Sequence, residues 1–323
     1  MEQTGHCVLI TGGGGFIGSH LAERLVAAER RVVIYDNFHR DSLQYVPGLR
    51  HHPAVRIVAG DVLDSQALQQ ACAGCDTIVH LAAIAGVSSY YTMPTRTLQV
   101  NILGTLNALE AGKATGVTRF VDVSTSECYG ANCFDAQEEQ NHILGPVQDQ
   151  RWTYALSKLV SEHFTFGAGR ESGMSCVTVR PFNIYGPRQT GEGAVANFCR
   201  AVVQGQPLKV TGDGTAIRAW CYIDDFIDGM MAILHTPQVT GEALNLGNPQ
   251  CIRSTLGLAE DIVRLTGGNA RIELVPMPFT EIHVRTPSIS KARTLLGFAP
   301  QVSLLEGLRR TLDWFYKEQD ACA

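Results

Sequence analysis

The sequence lacks the features that mark a membrane protein or a nucleic-acid-binding protein. No apolar stretch approaches the roughly 20 residues that a membrane-spanning helix needs, and the apolar run at residues 7–10 is too short for a signal peptide. The 26 Lys and Arg residues are outnumbered by 31 Asp and Glu residues, which gives a formal net charge of −5. Because this balance leaves no basic footprint, we expect neither a membrane nor a nucleic acid as the main partner.

The ten cysteines also lack the spacing of a metal site. Several of them lie inside apolar runs, which is typical of reduced thiols in the core of a cytoplasmic protein. Cys72 and Cys75 form a CxxC pair, but without a second pair or a histidine cluster a zinc site is not favoured. Two thiols at the end of a helix are the simpler interpretation. The sequence therefore predicts a cytoplasmic protein without a bound metal.

What the first 180 residues do contain is an alternation of strand-length and helix-length segments. Apolar runs rich in Val and Ile predict strands at residues 7–11, 31–36, 55–59, 77–82, 119–124 and 176–180. Helical spacing predicts helices at residues 17–29, 65–73, 95–114 and 154–170. This alternation predicts an α/β fold, with a parallel sheet covered by helices on both faces. Ligands then bind at the edge where the carboxyl ends of the strands meet.

After Pro181 the pattern changes to short strands, Gly and Pro turns, and helices at residues 194–204, 255–266 and 304–317. We expect a Rossmann-type doubly wound parallel sheet over residues 1–183 and a smaller C-terminal α/β lobe, which binds substrate, over residues 184–323. Residues 242–247 are expected to return one strand to the main sheet.

A glycine-rich turn between the first strand and the first helix predicts a dinucleotide site. Residues 12–18 read GGGGFIG, and the strand before them and the helix after them supply the context that the motif requires. Gly12 permits the tight turn, Gly15 lets the backbone approach a pyrophosphate, and Gly18 allows close helix–strand packing. The N-terminus of the helix favours phosphates. The alternative is a glycine-rich turn that binds no ligand.

Asp36 indicates which dinucleotide binds. It ends the second strand, eighteen residues beyond Gly18, where a carboxylate can hold ribose hydroxyls. The same carboxylate repels a 2′-phosphate, so NAD is favoured over NADP, although Arg40 lies nearby in the sequence.

Tyr154 and Lys158 form the predicted chemical centre, because residues four apart share one face of a helix. A phenol with a pKa near 10 is a poor base at neutral pH, but a neighbouring ammonium and a positive nicotinamide ring favour the phenolate. The phenolate can then take the proton of a sugar hydroxyl while a hydride leaves the same carbon. Ser124 or Thr125, at the end of the fifth strand, can hydrogen-bond that hydroxyl. In isolation, a Tyr and a Lys on a helix are more often surface residues.

Further motifs follow in a fixed order: LAA at 81–83, STSECYG at 124–130, YALSK at 154–158, RPFNIYGPR at 180–188 and RAWCYIDD at 218–225. With TGGGGFIG at 11–18, Asp61 and Asn101, they resemble the extended short-chain dehydrogenase/reductase family of sugar-nucleotide epimerases, dehydratases and decarboxylases. The resemblance implies a UDP-sugar substrate, tightly held NAD, and a homodimer packed through the helices near residues 95–114 and 154–170. It also implies that NAD is contacted by Phe16, Ile17, Asn37, Asp61, Val62, Leu81, Ala82, Ala83 and Asn101, besides Tyr154 and Lys158. The substrate contacts that it implies are Tyr90, Asn183, Arg188 and Arg218, the two arginines on the diphosphate or nucleotide.

The residues that follow Ser-Thr distinguish the reactions within this family. Simple 4-epimerases carry a small residue after Ser-Thr-Ser, and 4,6-dehydratases carry Asp-Glu. Ser126-Glu127 in this chain resembles the UDP-glucuronic acid decarboxylases, as do GPVQDQRWTY at 145–154 and VRTPSI at 284–289. The resemblance implies that Thr125, Ser126, Glu127 and Arg285 are catalytic together with Tyr154 and Lys158.

Decarboxylation is chemically coherent with these residues. Oxidation of UDP-glucuronate at C4 makes the C5 carboxylate a β-keto acid, which loses carbon dioxide readily and gives UDP-xylose or a UDP-4-keto-pentose. Glu127 can orient the sugar or crowd the departing carboxylate. Arg285 can stabilise the carboxylate or the enolate, but a guanidinium is a poor proton donor.

Other interpretations stay open at this point. Glu127 can be a strand-end carboxylate paired with a cation, and Arg285 a surface or helix-capping residue. The stretch LAAIAGVSS, in which Ser88 replaces an Arg of some uronate 4-epimerases, keeps a 4-epimerase as the alternative, ahead of a 4,6-dehydratase. A non-catalytic NAD-binding relative is disfavoured because Tyr154 and Lys158 are both present.

Overall fold

The structure is a computed structural model that describes the backbone of residues 6–322 and the side chains of residues 6–320. Its strands are β1 (Cys7–Thr11), β2 (Arg31–Asp36), β3 (Val55–Ala59), β4 (Thr77–His80), β5 (Arg119–Val123), β6 (Asn132–Ala136), β7 (Ser175–Pro181), β8 (Ile184–Tyr185), β9 (Leu208–Thr211), β10 (Ile217–Ala219), β11 (Cys221–Tyr222), β12 (Ala243–Leu246), β13 (Ile252–Ser254), β14 (Ile272–Val275) and β15 (Val284–Pro287). Its α-helices are α1 (Phe16–Ala27), α2 (Pro47–Arg50), α3 (Ser65–Cys72), α4 (Val87–Thr92), α5 (Pro94–Leu98), α6 (Gly104–Thr115), α7 (Thr153–Ser172), α8 (Ala194–Val203), α9 (Ile223–His235), α10 (Thr255–Leu265), α11 (Ser290–Leu296) and α12 (Leu304–Cys322).

The main sheet has seven parallel strands in the order β12-β7-β5-β4-β1-β2-β3. The chain builds outward from β1 to β3 in one direction, and then returns to β4 and continues outward on the other side. The order therefore reverses between β1 and β4, and the carboxyl ends of these two strands border the crevice where such sheets bind ligands. This topology confirms the predicted Rossmann-type doubly wound sheet.

The two faces of the sheet are buried against separate helix layers. Val8 and Ile10 of β1 pack with Leu21 and Leu25 of α1 in one apolar cluster. Leu9, which points to the opposite face because side chains alternate along a strand, packs in a second cluster with residues of α3 and α6. Burial on both faces explains why these strands read as continuous apolar runs rather than as alternating patterns.

The helix predicted at residues 95–114 is interrupted. The structure has α5, then a π-helical turn at Gln99–Leu103, and then α6. A π turn inserts one extra residue into a helix and is common at functional sites. Here it contains Asn101, which is buried and directed at the main sheet edge. The apolar spacing alone did not indicate this insertion.

A second set of small sheets lies beyond the main one. Its largest sheet has the order β13-β10-β15-β6, and two further pairs are β11-β8 and β14-β9. β6 comes from the first half of the chain and pairs in parallel with β15, and β12 comes from the second half and pairs with β7. The domain boundary at residue 183 stays a prediction. On each side of it, one strand pairs with a strand from the other part of the chain.

Over residues 6–322, no helix combines the length and the apolar character needed to cross a bilayer. The same residues include no group of three or more His, Cys, Asp or Glu side chains placed to hold a metal ion. Cys72 and Cys75 are both buried at the end of α3, but the sulfur nearest to Cys75 Sγ is Cys7 Sγ, at 3.3 Å.

Candidate active site

The glycine-rich loop between β1 and α1 is closed so tightly that side chains cannot be added to it. Gly12 has a φ of +70°, and a Cβ on it would lie 2.7 Å from the backbone nitrogen of Ala82. A Cβ on Gly18 would lie 2.5 Å from the carbonyl oxygen of Gly12. Gly15 precedes the first residue of α1, and the N–H groups of Phe16 and Ile17 belong to the first helical turn, which has no acceptor within the helix. The loop therefore presents donors to an anion.

Asp36 fixes this loop from the end of β2. Its carboxylate accepts the Gly14 N–H at 2.8 Å and the Phe38 N–H at 2.7 Å. Burial raises the pKa of Asp36, and the backbone N–H groups partly oppose that change. A carboxylate has about four acceptor positions, so two remain for ribose hydroxyls. Arg40 packs against Gly191 instead.

Hydrogen bonds hold three further residues that are predicted to contact NAD: Leu81, Asn101 and Asp61. Leu81 N–H donates to the Thr11 carbonyl at 3.0 Å. Asn101 accepts the Ile84 N–H at 2.8 Å and donates to Ser157 Oγ at 2.9 Å. Asp61 accepts the Leu63 N–H and pairs with Arg96 at 3.1 Å. The other members border these contacts: Asn37, Val62, Ala82 and Ala83.

Tyr154 lies buried at the start of α7, and its ring stacks on the ring of Tyr90. The two ring centroids are 5.2 Å apart and the planes differ by 5°. Burial raises the pKa of Tyr154 above its ordinary value, the Glu127 carboxylate adds to the rise, and a hydrogen bond with Thr125 opposes it. The protein by itself thus keeps the phenol protonated.

Lys158 is placed differently from our expectation. Its Nζ lies 3.1 Å from Asp122 Oδ1, and both side chains are buried. The sequence predicted an ammonium that favours the Tyr154 phenolate, but a carboxylate partner compensates much of that charge. Asp122 was not among the predicted site residues, since its place inside the apolar run of β5 gave no functional signal.

The structure separates the two hydroxyls that the sequence left as alternatives. Ser124 Oγ donates its hydrogen to Glu162 Oε1 on α7 at 2.5 Å. This buried hydrogen bond leaves the Ser124 hydroxyl without a hydrogen to donate to a substrate. Thr125 accepts the Glu127 N–H at 3.2 Å and also bonds with Tyr154. Of the two hydroxyls, Thr125 is the one that bonds with Tyr154, so these contacts favour Thr125 over Ser124. Ser126 is buried in the following turn.

Glu127 is held between two guanidinium groups. Its Oε2 lies 2.6 Å from Arg151 Nη1, and its Oε1 lies 3.3 Å from Arg285 Nη1. Burial alone would raise the pKa of Glu127, but Arg151 and Arg285 outweigh it and lower the pKa to about 2. Glu127 is therefore a fixed anion at neutral pH, and it is unsuited to act as an acid.

Arg151 was missed by the sequence prediction. It lies three residues before Tyr154, within the segment 145–154, whose resemblance to the decarboxylases did not single out any one residue besides Tyr154. Its guanidinium also lies 5.6 Å from the centroid of the Tyr90 ring. Tyr90, predicted as a substrate contact, is thus packed between the phenol of Tyr154 and the Arg151–Glu127 pair.

Arg285 and Arg218 lie side by side on β15 and β10, where they are register partners. Arg285 Nη2 donates to Asn183 Oδ1 at 3.4 Å, its Nη1 is the atom paired with Glu127, and its Nε has no hydrogen-bond partner among the described residues. Burial lowers the pKa of Arg218 to about 9, and the neighbouring Arg285 contributes. Two neighbouring guanidinium groups, of which Arg285 has an unpaired Nε, suit an anionic ligand.

Arg188 does not join this group. Its guanidinium pairs with Glu23 at 2.6 Å and bonds with His20, both on α1. Burial lowers the pKa of His20 to about 3, and Arg188 adds to that effect, so this imidazole is neutral. The structure gives Arg188 a role in attaching residues 186–188 to α1. The prediction that it contacts substrate is not supported by these contacts.

The contacts of Cys128 and Ser88 assign both residues structural roles. Cys128 is fully buried and its thiol contacts Ser124 Oγ at 3.5 Å, so it fills the core. Ser88 bonds with Glu192 through both its hydroxyl and its N–H. It thereby ties α4 to the loop before α8.

A glycine-rich loop on β1, an acid at the end of β2 and a Tyr–Lys pair on α7 define a Rossmann-type dehydrogenase. The chain belongs to the NAD dependent epimerase/dehydratase family, which matches residues 8–247. It is an NAD-dependent enzyme, as the sequence predicted.

Several characterised proteins are similar over almost the whole chain. A UDP-N-acetyl-alpha-D-glucosaminuronate decarboxylase of Bacillus cytotoxicus is 35% identical over 316 residues, which cover 95% of this chain and 97% of the relative. UDP-glucuronic acid decarboxylase 1 of Xenopus tropicalis is 34% identical, covering 96% of this chain and 72% of the relative. The crystal structure of UDP-glucuronic acid 4-epimerase from Bacillus cereus, in complex with UDP-glucuronic acid and NAD, has a TM-score of 0.89 at 30% identity, covering 97% of this chain and 99% of that one.

Proposed function

We propose that this protein catalyses the NAD-dependent decarboxylation of a UDP-linked uronic acid through a 4-keto intermediate. The observation that carries the proposal is the anionic Glu127 held between Arg151 and Arg285, within the surroundings of Tyr154. Relatives from a bacterium, an animal and a plant that bear decarboxylase names support it. A ketone at C4 is required because it turns the C5 carboxylate into a β-keto acid.

The first step is oxidation at C4. When bound, NAD supplies the hydride acceptor and a positive ring near the phenol. Tyr154 takes the proton of the C4 hydroxyl, and the hydrogen bond from Thr125 holds the phenol oxygen in position. Because burial raises the pKa of Tyr154, the added positive charge is needed before the phenol can act as a base.

The second step is loss of carbon dioxide. The C5–carboxylate bond breaks, its electron pair stays on C5, and the resulting enolate is protonated by water. The Nε atom of Arg285, which lacks a partner among the described residues, suits a carboxylate or an enolate oxygen. Glu127, ionised and fixed, repels a carboxylate placed beside it and so favours its departure as a neutral molecule. Arg218 and Asn183 are proposed to contact the diphosphate end of the substrate, and Tyr90 the sugar.

Carbon dioxide release is the decisive test. The purified protein should be incubated with NAD and with uronates labelled at the carboxyl carbon, either UDP-glucuronate or UDP-N-acetylglucosaminuronate. We expect labelled carbon dioxide from one or both, and none from the label-matched substrate without enzyme. The ratio of the two rates shows whether the enzyme prefers a hydroxyl or an acetamido group at C2 of the sugar. Accumulated NADH marks a released 4-keto-pentose, and its absence marks UDP-xylose or its 2-acetamido counterpart.

A uronate 4-epimerase is the second candidate, because a solved structure of that activity superimposes at a TM-score of 0.89. In the same incubation, it would convert UDP-glucuronate to UDP-galacturonate with the carboxyl carbon retained. Quantitative recovery of the label in the nucleotide sugar would exclude the decarboxylase.

We further propose that the protein is a homodimer. The expected interface involves the helices near residues 95–114 and 154–170, and large apolar side chains are exposed there. Leu103, just before α6, is 47% exposed, and Leu156 on α7 is 48% exposed. Light scattering should give twice the mass of one chain, and Leu156→Glu should shift the protein to the monomer. Leu274→Glu, which changes an exposed Leu on β14, should leave the mass unchanged. A monomeric unmodified protein at micromolar concentration would contradict the proposal.

A cytoplasmic location is proposed from the nine described cysteines, which are buried free thiols and suit a reducing compartment. Fractionation of the native host should recover the protein with cytoplasmic markers. Recovery in a secreted or envelope fraction would contradict it.

A further inference from the structure

Lys158, the proposed catalytic lysine, has a counter-ion, Asp122, to which the proposed reaction assigns no role. Asp122 and Lys158 are 0% and 1% exposed, and their charged atoms are 3.1 Å apart. Asp122 Oδ2 has no hydrogen-bond partner among the described residues. A buried ion pair is weak support for stability, since desolvation of both charges offsets most of their attraction. An incompletely satisfied pair at this place points to a role in the reaction.

Asp122 lies in a row of polar side chains across the centre of the main sheet. Thr11, His80, Asp122 and Thr178 are register partners on β1, β4, β5 and β7, so all four point to the same face of the sheet. His80 bonds with Thr11 at 2.7 Å and with Thr105 at 3.1 Å. Burial lowers the pKa of His80 to about 3, with Lys158 contributing, so this imidazole is neutral.

The other titratable groups that face Asp122 cannot replace it. Glu162, one turn beyond Lys158 on α7, is bound through both oxygens by Arg180. Burial raises the pKa of the Cys176 thiol on β7 to about 11, so it is uncharged. Tyr154 is the remaining group in this set. Asp122 is therefore the anion that Lys158 contacts in this part of the structure.

We propose that Asp122 is a positioning residue for the reaction: it fixes the Lys158 ammonium beneath the site and offsets the positive charge that this ammonium directs at Tyr154. The proposal rests on the proposed role of Tyr154 as the base. Asp122 touches neither the phenol nor the space above the sheet, and it acts through Lys158. With Asp122 ionised, the pair carries no net charge, and Tyr154 loses its proton at a higher pH than an unpaired lysine would allow.

Asp122→Asn tests this, because the amide keeps an acceptor for Lys158 and removes the charge. Below the apparent pKa of the base, the rate of NAD reduction falls with pH. This falling part of the pH profile is its acidic limb, and without the carboxylate it should move to lower pH by about one unit. The KM for the sugar nucleotide should change less than threefold. Thr178→Val is the matched control: its hydroxyl is buried without a partner in the same row, and its pH profile should match the unmodified enzyme.

A second readout does not depend on turnover. The absorbance of tyrosinate near 295 nm, taken as the difference between NAD-bound enzyme and its Tyr154→Phe variant, should titrate at lower pH in Asp122→Asn. If no uronate is decarboxylated but this titration moves, the proposed function fails and the role of Asp122 stands. An unmoved titration and an unmoved pH profile would overturn the role of Asp122, whatever the substrate.

A double-variant cycle separates positioning from a purely structural role. In a Lys158→Met background, Asp122 has lost its counter-ion, and burial, which raises its pKa, then favours the neutral acid. Asp122→Asn should therefore not move the pH profile further in that background. A shift of the same size as in the enzyme that keeps Lys158 would contradict the proposal. Should Asp122→Asn not fold, as judged by its thermal transition, the smaller Asp122→Ser carries the same three measurements.

Discussion

Tyr154→Phe should lower the rate of uronate-dependent NAD reduction by roughly 10²–10⁴-fold, the range of a general base. The variant keeps the ring that stacks on Tyr90 at 5.2 Å, so the sugar and the cofactor should still bind. Only the oxygen that takes the C4 proton is lost. Single-turnover absorbance at 340 nm measures the step directly, before any loss of carbon dioxide.

The matched control is Tyr316→Phe, which removes a phenol hydroxyl from an exposed tyrosine on α12. It should leave the rate unchanged, and both variants should bind NAD as the unmodified enzyme does. A Tyr154→Phe enzyme that reduces NAD at the full rate would remove the base from the proposed reaction, and with it the shared oxidation step.

The fold was predictable because its signals are local. Each strand of the main sheet is an apolar run of strand length, and the glycine loop lies between a predicted strand and a predicted helix. The extra residue of the π turn at Gln99–Leu103 was not predictable, because it leaves the apolar spacing on either side intact. The π turn contains Asn101, whose side chain bonds with Ile84 and Ser157.

The choice between Ser124 and Thr125 shows what periodicity can decide. Asp122 lies on β5 and Ser124 directly after its last residue, and their partners Lys158 and Glu162 are four apart on α7. Two residues of a strand rise by about 6.6 Å and four residues of a helix by about 6 Å. The spacing of Asp122 and Ser124 therefore matches the spacing of their partners on α7. Ser124 shares the helix-facing side with Asp122, and Thr125 is left for the site.

Pairing through space accounts for what the sequence could not supply. Arg151 meets Glu127, and Arg188 meets Glu23, only because separate elements converge. No spacing rule relates residues 24 or 165 positions apart. A motif match assigned Arg188 to the substrate, whereas its contacts assign it to α1. Arg151 had no motif of its own and proved to be the nearer partner of Glu127.

Glu127→Gln carries the second large effect, and its sign is specific. The amide is nearly isosteric, and its single oxygen keeps an acceptor for Arg151, the nearer of the two arginines. The change removes the negative charge of a side chain whose pKa these arginines lower to about 2. A uronate carboxylate should then bind more readily between the two guanidinium groups, because the like charge is gone. The same change removes the repulsion that favours its departure.

We therefore expect kcat for carbon dioxide release to fall by about 10²-fold while KM falls or stays level, the combination that marks lost ground-state destabilisation. Arg285→Ala should differ, with a lower kcat and a higher KM, since it removes an attractive contact. Glu139→Gln is the control for loss of a carboxylate, because Glu139 is exposed and pairs with Lys291 at the surface. A Glu127→Gln enzyme with a raised KM and an unchanged kcat would show that Glu127 binds the sugar and takes no part in expelling the carboxylate.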